Sequence, residues 1–243
     1  KKKIKGYVFL RSDCFLEYKI RYGLFGYFLY FLMFSFIKKK LNVLSVSHNF
    51  RHVKVHKILH PSELNKEWFT KKKTKRKFKT DFLYIGRFKK EKGVHYLTKI
   101  FTENLNKYKL TIVGTKQKYI EKKFYNRNIK YIGPVNNPKK LIELYDSSRI
   151  FILPSYTEGF PKVISESLAR LKPIIIFHEI KHVLKNRKGI FVCKRDTKNI
   201  KKKINFILKN YTNIQKMIST NSFFTKDSFK MELLNSIKNE FRN

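Results

Sequence analysis

An α/β fold is what this sequence predicts, a doubly wound parallel sheet of about six strands with helices on both faces, and three observations point to it. From Asp81 onward, short apolar runs alternate with helix-like segments. The runs FLYI, LTIV and PIIIF are continuously apolar, as strands covered on both faces must be. Several runs end at a glycine, or at Pro154 and Ser155, which stop a strand and open a turn.

The N-terminal part comes first. Tyr7 to Leu10 reads as a strand, and Arg11-Ser12-Asp13 as a turn. Tyr22 to Ile37 is an uncharged, highly aromatic helix flanked by Arg21 and by Lys38-Lys39-Lys40. It is shorter than the roughly 18 to 20 residues that a spanning helix needs. A buried helix is the expectation; a segment lying on an anionic membrane surface is the alternative. Leu41 to Val46 reads as a strand ending in the polar loop Ser47-His48-Asn49. Val55 to Leu59 is a short extended run, and Lys66 to Lys79 reads as a solvated basic linker.

The regular part follows. Strands are expected at Phe82 to Ile85, Leu110 to Val113, Ile129 to Ile132, Ile150 to Leu153, Pro173 to Phe177 and Gly189 to Val192. Helices are expected over Val94 to Asn104, Lys116 to Tyr125, Pro138 to Ser147, Pro161 to Leu171 and Thr197 to Leu208. A last helix over 225–241 starts at a cap supplied by Thr225 or Asp227.

In open α/β sheets ligands bind outside the carboxyl ends of the strands. Gly86-Arg87, Gly114-Thr115, Gly133-Pro134 and Ser155 to Gly159 all stand there. Pro161 suits the first turn of a helix, because its missing N–H would be unpaired in any case. The N–H groups of Gly159, Phe160, Lys162 and Val163 therefore offer an anion site strengthened by the helix dipole. Gly159 is expected to let a ligand approach the backbone. Arg87 has a planar fork for phosphate oxygens and Lys92 a point charge, so together they suit a diphosphate. Glu158 and Glu166, with seven residues between them, bracket the turn. The competing reading of Glu166 is an ion pair with Arg170 one turn on, and that of Glu158 a carboxylate favoured by the helix N-terminus.

These residues carry a resemblance. Glu158-x7-Glu166 within PSYTEGFPKVISESLA is similar to the signature of the retaining glycosyltransferases of family 4, enzymes of the GT-B fold. Gly86-Arg87-Phe88-Lys89-Lys90-Glu91-Lys92-Gly93 resembles that family's GR-x4-KG segment, about 70 residues earlier. The resemblance implies a Rossmann-like C-terminal domain that binds a nucleotide-sugar donor. It implies that Arg87 and Lys92 hold the diphosphate, Glu166 the ribose, and Glu158 a hydroxyl of the sugar. It also sets the backbone of Gly159, Phe160, Pro161, Lys162 and Val163 on the sugar and phosphates, and Gly133-Pro134-Val135 near the base. By the same resemblance His48 would face the cleft, against the commoner reading of a surface-loop histidine. Domain boundaries follow: 1–70 as the remnant of an acceptor-side domain, 71–243 as the donor domain, with helix 225–241 packing back toward the former. The family's glycine-rich loop and histidine from the first domain have no match, so a truncated chain or a partner subunit is expected.

Composition limits the rest. A net charge of +39 on 243 residues attracts anions. The lysines are spread along the whole chain, and no RRM, KH or helix-turn-helix pattern accompanies them. A basic nucleic-acid binder is thus the weaker alternative, beside a non-catalytic donor-binding subunit. Two distant cysteines, Cys14 and Cys193, make no disulfide framework, and a cytoplasmic setting, peripheral on the inner membrane face, is expected. There is no GxxxxGK[ST] or GxGxxG motif, and neither metal-ligand spacing nor a DxD-like pair, so neither metal nor cofactor is expected. The expected partners are a nucleotide-sugar and a sugar or lipid-linked acceptor. Surface polysaccharide or glycolipid synthesis is the expected setting.

Overall fold

A computed structural model describes residues 6–46, 53–70 and 78–241. Two compact units divide the chain. One holds the described residues of 1–65 together with 157–162 and 224–243; the other holds 66–156 and 163–223. His48 and the rest of its loop lie outside the described residues.

The first unit contains a parallel three-stranded sheet in the order β1 (Gly6–Leu10), β2 (Leu41–Ser45), β3 (Lys57–Ile58). Two helices connect β1 to β2: α1 (Cys14–Tyr22), capped by the Asp13 carboxylate on the Leu16 N–H, and α2 (Leu24–Lys40). Gly23, at φ +62°, separates them. At Gly26 the two helices cross so closely that a Cβ would stand 2.1 Å from the Tyr18 carbonyl oxygen. The expected aromatic helix from Tyr22 to Ile37 is α2, shifted by two to three residues; the sequence reading held no sign of α1 before it, and α2 is buried on one face only. Tyr30 and Phe34 pack with Leu10, Phe15, Val43 and Val46, while Phe25, Phe28 and Phe36 stay exposed. A 3.6-residue period can bury one stripe of a helix against a small sheet, and here no second layer covers the other stripe among the described residues.

The second unit is a six-stranded parallel sheet, as expected. Its strands are β4 (Thr80–Ile85), β5 (Leu110–Val113), β6 (Ile129–Ile132), β7 (Ser148–Leu153), β8 (Ile174–Phe177) and β9 (Ile190–Cys193). They lie in the order β6-β5-β4-β7-β8-β9. Helices α3 (Val94–Glu103), α4 (Pro138–Asp146), α5 (Lys162–Ala169), α6 (Thr197–Lys209) and α7 (Tyr211–Ser219) connect and flank the strands. Asn137 caps α4 by accepting from the Lys140 N–H, Pro138 takes its first turn, and Asp196 caps α6 from Asn199. Helix α7 escapes the sequence reading because α6 runs almost straight into it; only Asn210 intervenes.

Two other expectations change. Lys116 to Tyr125 forms two short 3-10 turns, Gln117–Tyr119 and Lys122–Phe124. Ile120 and Glu121 are extended between them. That break buries Ile120 and lets the Tyr125 hydroxyl donate to the Gln117 carbonyl at 3.0 Å. The supposed linker from Lys66 is anchored at its start. Trp68 is buried with its ring 5.7 Å from that of Tyr145. Arg170 donates to the Trp68 and Thr70 carbonyls, each at 2.9 Å.

The final helix α8 (Lys226–Phe241) belongs to the first unit. Thr225 caps it, its hydroxyl accepting from the Ser228 N–H at 3.2 Å. The Lys226 N–H donates to the Leu64 carbonyl. His60 stacks on Phe224 at 4.0 Å and shares its ring and backbone nitrogens with the Glu232 carboxylate.

Candidate functional site

Strand order locates the ligand edge of the second unit. The chain runs outward from β4 through β5 to β6, then returns to lay β7 against β4 on the other side. The switch point therefore falls between β4 and β7, and crevices of this kind open at the carboxyl ends of such a pair.

Glycines let the strand ends converge there. The Gly86 N–H donates to the Val113 carbonyl, and the Gly114 N–H to that of Ile132, each at 2.9 Å. Gly114, at φ +126°, lies so near the Gly86 carbonyl oxygen that a Cβ would stand 2.2 Å from it. The Tyr84 hydroxyl fills the space a Gly86 side chain would need and donates to the Arg87 carbonyl at 3.0 Å. This fixes the Arg87 backbone and leaves its side chain exposed. Lys92 is half-buried at the end of a 3-10 turn, followed by Gly93 at φ +66°. A Cβ on Gly93 would stand 1.9 Å from the Pro154 carbonyl oxygen. The Tyr156 N–H donates to the Glu91 carbonyl at 3.0 Å. The loop from Gly86 to Gly93 thus closes on the end of β7.

Sequence reading missed the side chain that clamps this joint, Arg195, which follows β9. It donates to the Pro154 carbonyl at 2.8 Å and the Ser155 carbonyl at 3.2 Å, and pairs with Glu179 at 2.6 Å. The Tyr156, Phe177 and Tyr96 rings surround its guanidinium at 4.0, 4.4 and 5.0 Å. Its Nη1 is buried without a hydrogen-bond partner, as is the Tyr96 hydroxyl, whose pKa burial pushes up to about 12. Among 56 basic residues nothing in sequence marks this one.

The other expected residues divide between the units. Glu166 is buried on α5, where it accepts from the Tyr145 hydroxyl at 2.9 Å. Burial, and then this carboxylate, hold the Tyr145 phenol well above its usual pKa. Arg170, the partner of Glu166 in the competing reading, directs its guanidinium to Asp146, with bonds of 2.9 and 2.8 Å. Val163 is half-buried at the start of α5. Gly133, Pro134 and Val135 follow β6; the Lys116 side chain lies over Gly133, Pro134 is exposed and Val135 half-buried.

Glu158, Gly159, Phe160, Pro161 and Lys162 belong to the first unit. There Gly159 also meets a packing requirement that the sequence did not show. A Cβ would stand 2.4 Å from the Arg11 carbonyl oxygen and 2.8 Å from the Ser12 Cα, so glycine admits the protein's own backbone. Phe160 packs against the apolar core of that unit, and Glu158 is half-buried. The Lys162 ammonium pairs with Glu63 and holds that carboxyl below the usual range. Among the described residues, no group of three or more His, Cys, Asp or Glu side chains is placed to hold a metal ion.

A parallel sheet with its switch point at a glycine-lined, cation-bearing edge defines a doubly wound α/β domain of the GT-B glycosyltransferase type. The chain belongs to the glycosyl transferases group 1, whose family model matches residues 65–223. A glycosyltransferase of lipopolysaccharide biosynthesis, WaaG, superposes with a TM-score of 0.71 at 15% identity, over 96% of this chain and 76% of WaaG. The Anabaena protein Alr3699/HepE, solved in complex with UDP-glucose, gives a TM-score of 0.69 at 12% identity, over 95% of this chain and 71% of that one. The capsular polysaccharide biosynthesis glycosyltransferase CapM of Staphylococcus aureus is 30% identical over 140 residues, covering 52% of this chain and 36% of CapM. The chain spans about a third of the length of the curated relatives it matches.

Proposed function

We propose that this protein transfers a sugar from a nucleoside-diphosphate sugar to an acceptor hydroxyl, with retention at the anomeric carbon, during synthesis of a surface polysaccharide or glycolipid. One observation carries the reading: the loop bearing Arg87 and Lys92 is locked by Gly93 and Glu91 onto the end of β7, at the switch point. In the reaction the bond from the anomeric carbon to the phosphate oxygen breaks, and its electron pair leaves on the diphosphate. The acceptor oxygen bonds to the same carbon and passes its proton to the departing diphosphate oxygen. Negative charge grows on the leaving group, and two cations held beside it lower that barrier. Arg87 and Lys92 take this part, in the place a divalent metal has in other transferases.

The remaining roles rest on the family resemblance. Glu166 accepts from the ribose hydroxyls, its orientation held by Tyr145. Glu158 meets a hydroxyl of the donor sugar. The backbone of Gly159 to Val163 meets sugar and phosphate, and Gly133 to Val135 the base. CapM and WaaG, as relatives named for capsule and lipopolysaccharide synthesis, support the surface-glycan setting.

The deciding experiment is calorimetric titration of the chain with UDP, GDP, ADP and CDP in the presence of EDTA. One diphosphate should bind, and Glu166→Ala should weaken it. Binding of none, or full affinity in both Arg87→Ala and Glu166→Ala, overturns the assignment.

A further inference from the structure

The exposed face of α2 is an unusual surface for a water-facing helix. Leu24, Phe25, Phe28, Phe31, Leu32 and Phe36 are 82, 62, 61, 45, 52 and 69% exposed. Their spacing, one, three, three, one and four residues, runs a single stripe down the helix. The opposite stripe, with Gly26, Tyr30 and Phe34, is buried in the core of the first unit. A contiguous apolar face of this kind marks a place of contact.

Charge identifies the occupant. Residues 24–40 contain no acid. Lys19 and Arg21 are exposed just before the stripe, and Lys38-Lys39-Lys40 follow it in sequence. A second copy would bring another chain of +39 against these same bases, which like-charge repulsion opposes. An anionic bilayer supplies what the stripe and its flanks require together: an acyl region for the rings and negative headgroups for the bases. Spanning is ruled out by length, since none of the described helices is long and apolar enough to cross a membrane.

We propose that α2 is an in-plane membrane anchor, lying along an anionic lipid surface with Phe25, Phe28 and Phe36 inserted among the acyl chains. This proposal does not depend on the transferase reading, because its test involves no nucleotide.

The test is flotation of the full chain with phosphatidylcholine vesicles, with and without phosphatidylglycerol. Wild type should float with the anionic vesicles and far less with the neutral ones. Phe25→Ser/Phe28→Ser/Phe36→Ser, all at exposed positions, should lose at least about tenfold in partition while keeping the thermal midpoint. A second measurement uses Phe28→Trp. Its fluorescence should be quenched by lipids brominated in the acyl chain, whereas that of wild type, whose single tryptophan Trp68 is buried, should not. Full retention of binding by the triple variant would mean charge alone drives it, and would overturn the proposal. So would an unquenched Phe28→Trp, or a dimer that the triple variant dissolves while vesicles bind neither form.

Discussion

Gly93 lies against the carbonyl of Pro154, with room for a hydrogen and for nothing larger: a Cβ would stand 1.9 Å from that oxygen. The contact joins the loop after β4 to the end of β7, so it sets where Arg87 and Lys92 stand. It also makes the second glycine of the motif a packing requirement.

Gly93→Ala should therefore cost stability twice, through a positive φ of 66° and through the clash with Pro154. A loss of about 2 to 4 kcal/mol is expected from chemical denaturation. Any surviving folded protein should bind the diphosphate more weakly than wild type. A variant as stable as wild type would show that the loop closes differently.

Arg87→Ala should separate binding from folding. Its side chain is exposed, while its carbonyl is what Tyr84 holds. Loss of a charge-assisted contact to phosphate is worth about 1.5 to 3 kcal/mol, or roughly ten- to a hundredfold in affinity. The unfolding midpoint should stay within about 1 °C of wild type, since surface substitutions are close to neutral. Lys92→Ala should weaken binding in the same direction.

Arg195→Ala should loosen the end of β7, on which the loop bearing Arg87 and Lys92 closes. It removes two carbonyl contacts, the Glu179 pair and three ring contacts at once. Unfolding should be easier by about 2 to 4 kcal/mol. Arg195→Lys should recover little, because one ammonium cannot fork to Pro154 and Glu179 while stacking on Tyr156. Full rescue by lysine, read in denaturation curves, would contradict the clamp.

Arg170→Ala should be more damaging than its place on a helix suggests. Its side chain is 1% exposed, and the partner carboxylate of Asp146 is 10% exposed. Removing one member of such a pair costs about 3 to 5 kcal/mol. The Trp68 and Thr70 carbonyls lose their donor as well. Protease cleavage near residue 70 should accelerate in this variant.

His95 gives a pH dependence of defined sign. It sits edge-on to Phe88 at 4.7 Å and to Phe124 at 5.3 Å, and burial lowers its pKa below the usual value. The unfolded chain then takes up a proton at about pH 6.5 while the folded chain stays neutral. This contribution to stability is present above about pH 6.5 and declines as the pH falls below it. In His95→Gln the difference in unfolding free energy between pH 7.5 and 5.5 should shrink. An unchanged difference would show that His95 protonates equally in both states.

Much of the architecture was legible because burial on both faces leaves a local trace. All six strands of the larger sheet fall within two residues of the runs expected from sequence, and of those runs only that of the edge strand β6, with exposed Lys130, breaks the apolar pattern with a charge. The cap at Thr225 acts over three residues, so it too was read along the chain. The segment from Lys116 misled because Ile120 and Phe124 have helical spacing, yet Ile120 reaches the core through extended backbone.

The order of residues alone determined the strand pattern, the glycine-bounded Arg87–Lys92 loop and the spacing of Glu158 and Glu166, since each is a property of near neighbours. Only the tertiary structure decided that β7 returns to β4, that Arg170 takes Asp146, that Gly159 makes room for Arg11, and that one face of α2 stays bare. The reason is distance along the chain. Arg195 and Pro154 lie 41 residues apart, and among 56 like-charged side chains only folding selects which one reaches a given carbonyl.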